Sequence, residues 1–113
     1  METWTTPYQH YLGDGLLPAK PIEMKTIKRN ERKYALADGK LFRHGYTYPI
    51  LTCVSGDQCT HIMEELHEGI CGSHIGGRAL SFKVVHVRYY WPTMKEDCMR
   101  HAQRCEQCQK HVD

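Results

Sequence analysis

A chain of 113 residues with a formal net charge of +2 has room for one domain, or for one domain with an appendage. It contains no apolar run near the ~20 residues that cross a bilayer, and its opening residues, METWTTPYQHYLGDG, lack the apolar stretch of a secretory signal. These features favour an intracellular protein, nuclear or cytoplasmic and not secreted. In such a reducing compartment, six cysteines suggest metal ligands more than disulfides.

The front of the chain is predicted to combine a helix with a small β-sheet. Residues 1–20 are expected to be a linker or junction segment, with a short helix or turn that ends in glycines. The stretch PIEMKTIKRNERK has no helix breaker after its first proline and predicts a helix. Two short apolar runs around Asp38-Gly39 predict a hairpin with a type I′ turn, and YPILTCV supplies a third strand. Residues 21–54 are therefore expected to form an N-terminal extension of helix plus sheet.

From residue 55 onward the pattern predicts helices. The first runs to about His67, before a glycine-containing loop, and Gly76-Gly77 begins the second, RALSFKVVHV. Its Leu80, Val84 and Val87 have helical spacing. YYWP breaks the run, and the third helix, MKEDCMRHAQR, opens with Thr93 and Glu96 spaced as a capping box.

The strongest local signal for chemistry is Cys105-Glu-Gln-Cys108, because two thiols at this spacing can reach one tetrahedral ion. Zinc needs four ligands, and His67 and His74 complete an H-x6-H-x30-C-x2-C pattern that would tie the helices together. Two residues remain as rival ligands on spacing alone, Cys71 and then His111, and His101 lies one helical turn before Cys105. The expected fold class is therefore α+β, with a β-containing N-terminal extension followed by a zinc-stapled cluster of three to four helices in residues 55–113.

Other conspicuous side chains are interpreted as structural. Cys98 recurs with Met94 and Ala102 along one helix face, which indicates a buried core thiol. Of the three adjacent aromatics Tyr89, Tyr90 and Trp91, at least one is expected to pack in the core of the rear helices. Four carboxylates at helix-surface spacing predict a solvated face: Asp57, Glu64, Glu65 and Glu68.

Charge is unevenly distributed along the chain. Residues 20–43 carry eight Lys/Arg against three Asp/Glu, a net of +5, and residues 76–104 carry six against two, a net of +4. Two basic regions could hold nucleic acid through its phosphates, although solvated helix faces have the same pattern. The candidate nucleic-acid-binding residues are Lys28, Arg29, Arg32, Lys33, Arg78 and Lys83.

The rear half also carries a family resemblance. The stretch LHEGICGSHIGG, the YYWP before the last helix and the C-x-x-C-Q run lie within residues 60–110. Together they resemble the zinc-binding H2C2 (HHCC) domain of integrases from gypsy-type long-terminal-repeat retrotransposons, especially those of plants. The upstream RKYALADGKLFRHGYTYPILTCV is similar to an N-terminal extension in the same polyproteins, and METWTTPYQHYLGDGLLP is similar to the junction after the RNase H region.

The resemblance implies one structural zinc per chain, held by His67, His74, Cys105 and Cys108. It implies a module that supports integrase multimerisation and touches the ends of the element's DNA during integration. It implies no catalysis here, because the D-D-E carboxylates of a strand transferase belong to a separate core domain expected after residue 113. The expected partners are other integrase subunits, in a homo-oligomer such as a dimer, and element DNA. An alternative remains a host-adopted protein-interaction module that binds no DNA.

Overall fold

The fold is α+β, with strands in the first part of the chain and helices following. The computed structural model describes residues 2–68 and 75–105, and it divides into two compact units, Met1–Ser55 and Gly56–Asp113. Within the described residues, no helix has both the length and the apolar character to cross a membrane.

The first unit contains two helices and a three-stranded antiparallel arrangement. The helices are α1 (Thr6–Asp14) and α2 (Pro21–Asn30), and the chain then forms a 3₁₀ turn, Glu31–Lys33. The strands are β1 (Tyr34–Ala37), β2 (Lys40–His44) and β3 (Ile50–Cys53). In the register, Phe42 of β2 lies opposite Ala35 on one side and Thr52 on the other.

The hairpin between β1 and β2 turns at Asp38-Gly39, as predicted. Both residues have positive φ, 50° and 74°. A type I′ turn requires positive φ at its two central residues, which Asp tolerates and Gly adopts without steric cost. The predicted α2 is shorter than its sequence pattern suggested, because the chain tightens into the 3₁₀ turn after Asn30.

An aromatic cluster forms much of the core of the first unit. The rings of Tyr8 and Tyr34 lie 4.3 Å apart between centroids, and Trp4 packs against both. The indole Nε1 of Trp4 donates a hydrogen bond to the Val54 carbonyl at 2.8 Å. Part of the segment assigned to a junction by its sequence, residues 1–20, is thus the helix α1, whose Tyr8 is buried in this core.

The second unit packs three helices together: α3 (Asp57–Glu68), α4 (Gly77–His86) and α5 (Met94–Arg104). A two-residue strand, β4 (Tyr89–Tyr90), lies between α4 and α5. Leu80 and Val84 of α4 and Cys98 of α5 are fully buried, and Trp91 is 3% exposed. The prediction that Cys98 belongs to the core is therefore confirmed, as is the prediction that at least one of the three adjacent aromatics is buried, which is Trp91.

Helices α4 and α5 approach each other closely at Gly77. A Cβ atom added there would lie 2.5 Å from Cα and 2.6 Å from Sδ of Met99. The backbone of α5 occupies the place that a side chain would need, so residue 77 must be glycine for the two helices to pack at this distance.

The structure differs from the sequence prediction at one end of each of two helices, α4 and α5. Val87 is 40% exposed and does not share the buried face of Leu80 and Val84, because α4 ends at His86 and the helical period stops there. Thr93 makes no side-chain hydrogen bond to the helix backbone, so it forms no capping box with Glu96. Its hydroxyl lies 2.8 Å from Oδ2 of Asp97, which also accepts a 2.7 Å hydrogen bond from Nε1 of Trp91.

Candidate metal centre

His67 is the most deeply placed polar side chain described in the second unit. It lies in the last turn of α3 with no solvent-exposed surface. The imidazole has contacts, among them the ring of His101, but its Nδ1 atom makes no hydrogen bond within the described part of the chain. Because a buried polar atom ordinarily has a hydrogen-bond partner or a metal ion, this imidazole nitrogen fits a ligand position inside the protein.

Cys105 directly follows α5, at the end of the helix where His101 contacts His67. The ring of His101 meets the ring of His67 edge to face, with centroids 5.2 Å apart. Cys105 follows His101 by four residues and ends the helix with extended backbone, so the two residues are one helical turn apart. The structure therefore brings His67 near the part of α5 from which the Cys105 thiol emerges.

The other two predicted ligands, His74 and Cys108, lie outside the described residues, as do the rivals Cys71 and His111. Residues 2–68 and 75–105 contain no group of three or more His, Cys, Asp or Glu side chains that could hold a metal ion. The ligand set thus stays a prediction. Imidazole and thiolate are donors that zinc prefers, and the chemistry of His67 and Cys105 fits such an ion.

Of the other described cysteines, Cys59 and Cys98 are buried in the core and Cys53 is half-buried. Cys53, Cys59 and Cys98 are free thiols. Burial raises the pKa of Cys53 and of Cys98 to about 12, and that of Cys59 to about 11. The Asp97 carboxylate raises the pKa of Cys59 and Cys98 further. A metal ligand or nucleophile must be a thiolate, so these three thiols are poorly suited to either role.

The candidate nucleic-acid-binding residues lie on three elements: α2, the 3₁₀ turn that follows it, and α4. Lys28 and Arg29 are exposed at the end of α2, and Arg32 and Lys33 are exposed in the 3₁₀ turn that follows. On α4, Arg78 is exposed and Lys83 is half-buried.

Glu31, the acidic residue of the 3₁₀ turn, faces α1. A hydrogen bond to Glu31 raises the pKa of Tyr11, a residue of α1, so the Glu31 carboxylate faces that helix. The four carboxylates predicted as a solvated face of α3 are all exposed, which confirms that interpretation: Asp57, Glu64, Glu65 and Glu68.

Two features of the second unit were not apparent from the sequence. The sequence places His101 one turn before Cys105 but does not predict its contact with His67, which the structure shows. The sequence does show that His101 precedes Cys105 by four residues, a spacing that predicts both side chains on one side of the last helix. Asp97 was missed because its partners, Trp91 and Thr93, precede the helix and are joined to it by the fold.

Comparison with known protein families gives one match. The family described as the integrase zinc binding domain, Integrase_H2C2, matches residues 54–112, just over half of the chain. The matched segment contains both histidines and both cysteines of the predicted ligand set. A search of curated proteins finds no significant match.

Proposed function

Because the chain belongs to the integrase zinc-binding domain family, we propose that its second unit is a structural zinc module of a retrotransposon integrase. The observation that carries the proposal is the meeting of α3 and α5 at His67 and His101, one turn before Cys105. In this proposal His67, His74, Cys105 and Cys108 hold one zinc ion per chain, and the H2C2 domain is residues 55–113.

The proposed role of the metal is to hold the helices together. The unit has a small core, and a small domain without much buried apolar surface commonly needs a metal or a disulfide. Bound zinc would supply charge neutralisation for the two thiolates and a fixed link between helix ends. Two histidines and two cysteines fill a tetrahedral site, which leaves no position for a reacting water, so the proposed module is structural and not catalytic.

We propose further that the chain contacts duplex DNA through its exposed basic side chains and associates with other integrase subunits. Lys28, Arg29, Arg32 and Lys33 follow one another along the end of α2 and the next turn, and Glu31 among them is engaged with Tyr11. Arg78 and Lys83 on α4 extend the set. Phosphate contacts of this kind give binding that tolerates many sequences and weakens with salt.

The test of DNA contact is the affinity for a duplex measured across a range of salt concentrations. We expect Lys28→Gln and Arg29→Gln together to make the log–log salt slope shallower by roughly 0.9 for each phosphate that the chain no longer neutralises. Lys95→Gln is the matched control, since Lys95 is exposed on α5 and outside the proposed set. A wild-type chain that binds no duplex at low salt would contradict the DNA proposal and leave the protein-interaction alternative.

Subunit association is tested separately by light scattering of the zinc-loaded chain over a range of concentrations. We expect the mass to rise from that of a 13.2 kDa chain toward that of a dimer. A mass that stays at one chain at the highest concentration would contradict self-association, while the zinc and DNA proposals would be unaffected.

A further inference from the structure

The solvent side of α4 carries a basic and aromatic stripe. Arg78, Phe82 and His86 are spaced four residues apart and are all exposed, whereas Leu80 and Val84 on the opposite side are fully buried. Residues at this spacing lie one above the other along a helix. We call Arg78, Phe82 and His86 the α4 stripe.

Phe82 is the unusual member of the stripe. Its side chain is 72% exposed in the middle of a helix whose other large apolar side chains include the fully buried Leu80 and Val84. A phenylalanine ring in water lacks the stabilisation that burial would give, of about 1.5–3 kcal/mol. The Phe82 ring is exposed on a helix, α4, and not on a loop.

The charged residues near Phe82 in the sequence indicate the kind of partner that this ring could bind. Residues 69–95 contain no Asp or Glu, and α4 itself has Arg78 one turn before Phe82 and Lys83 beside it. A partner should therefore be anionic and should offer a flat surface to the ring. In a DNA duplex the base faces are stacked on one another, but an unpaired nucleotide offers both a free base face and a phosphate.

We infer that the α4 stripe binds an unpaired nucleotide, with the base stacked on Phe82 and the neighbouring phosphates paired with Arg78 and the adjacent basic groups. This inference rests on the proposed function, contact with DNA, and assigns one surface of the chain to single-stranded or frayed nucleic acid. Contact with duplex would then fall mainly to the basic side chains of α2 and the 3₁₀ turn.

The test uses the full zinc-loaded chain, a labelled oligothymidine, and a duplex whose two ends are closed by loops. We expect Phe82→Ala to weaken binding of the single strand by about tenfold or more, since stacking of one base contributes about 1–3 kcal/mol. The closed duplex should bind nearly as before. Phe82→Tyr should keep the single-strand affinity, and Phe82→Leu, which keeps an apolar side chain without a ring, should not.

Ile22→Ala is the matched control, because Ile22 is a similarly exposed apolar residue, 80% exposed, on α2 of the first unit. Single-strand affinity that is unchanged in Phe82→Ala, or fully retained in Phe82→Leu, would overturn the inference. If Phe82→Ala instead lowers the solution mass without changing single-strand affinity, the stripe is a protein interface and the inference is also wrong. Salt-dependent duplex binding in either case would leave the proposed function standing.

Discussion

The Asp97 side chain links the start of α5 to the residues that precede the helix. Its Oδ2 atom accepts hydrogen bonds from Nε1 of Trp91 and from the Thr93 hydroxyl, and its Oδ1 lies 3.7 Å from the Arg100 guanidinium. The first of these contacts ties a buried indole to the first turn of the helix. The Asp97 carboxylate thus fixes the geometry of this turn, where the expected capping box would have used Glu96.

We expect Asp97→Ala to lower the free energy of unfolding by about 1–3 kcal/mol, because the buried indole N–H is left without its acceptor. Urea denaturation of the zinc-loaded chain measures the change. Glu96→Ala is the control, since Glu96 is the exposed neighbour that the sequence pattern had favoured. Equal decreases in the two variants would show that the Asp97 hydrogen bonds add little to stability.

We expect the buried thiol of Cys98 to make the free energy of unfolding depend on pH in the alkaline range. Burial, and then the Asp97 carboxylate, raise its pKa to about 12 from the ordinary value of 9.0. A group with a raised pKa in the folded state stabilises the fold fully below the unfolded pKa, and that contribution is lost as pH rises through the folded pKa. The free energy of unfolding should therefore fall as pH rises from about 9 toward about 12.

Urea denaturation at a series of pH values under reducing conditions measures this dependence. We expect Cys98→Ala to be less stable at neutral pH, because it leaves a cavity, but its stability should fall less per pH unit above 9 than that of wild type. Identical slopes in the two proteins would show that ionisation of Cys98 is not linked to folding.

At the scale of the elements, the contact of α4 with α5 depends on Gly77. Alanine ordinarily stabilises a helix relative to glycine by about 1 kcal/mol. At Gly77 the added Cβ would meet the backbone of α5 at 2.5 Å, and backbone cannot move aside without separating the helices. We therefore expect Gly77→Ala to destabilise the chain by about 1–3 kcal/mol, measured by thermal or urea unfolding.

The neighbouring glycine provides the control for that substitution. Gly76 precedes the helix with ordinary extended backbone, and a Cβ there would meet no atom within 4 Å. Gly76→Ala should change stability only by the few tenths to about 1 kcal/mol of a weaker helix cap. A Gly77→Ala protein that is as stable as Gly76→Ala would contradict the close packing of α4 on α5.

The elements themselves were largely predictable, because local patterns determine them. Asp38-Gly39 fixes the hairpin, and the spacing of Leu80 and Val84 fixes the buried face of α4. The features that could not be predicted from the sequence depend on contacts between elements and on where each element ends. The exposure of Val87 follows from where α4 ends, and the Trp91–Asp97 hydrogen bond requires the turn before α5 to fold back on it.

The candidate metal centre, too, could be predicted from the sequence only in part. Spacing predicted that His67 and Cys105 serve one ion, and the structure brings α3 and α5 together at His67 and His101. The burial of His67 and its contact with His101 could not be inferred from spacing, because they depend on how two helices that are distant in sequence pack. His74 and Cys108 lie outside the described residues, so their part in the site remains a prediction.

At the scale of the whole molecule, the two units should respond differently to removal of metal. The aromatic core of the first unit, Trp4, Tyr8 and Tyr34, is built from its own residues. The second unit is the one that zinc is proposed to stabilise, and metal binding energy there becomes folding energy. We expect a chelator to remove hydrogen-exchange protection from α3, α4 and α5 while β1 and β2 keep theirs.

Hydrogen exchange read by mass spectrometry tests this at peptide resolution. Addition of zinc after removal of the chelator should restore protection in the three helices. Equal loss of protection in both units would show that the chain unfolds as one cooperative body and that the zinc site stabilises all of it.

The central claim is that one zinc ion is held by His67, His74, Cys105 and Cys108, and metal analysis of the purified chain tests it most directly. Wild type and Cys71→Ser should each contain one zinc per chain, and Cys105→Ser should contain little, with a matching decrease in helical circular dichroism. A wild-type chain without zinc, or a Cys105→Ser chain that retains a full equivalent while Cys71→Ser has none, would contradict the claim.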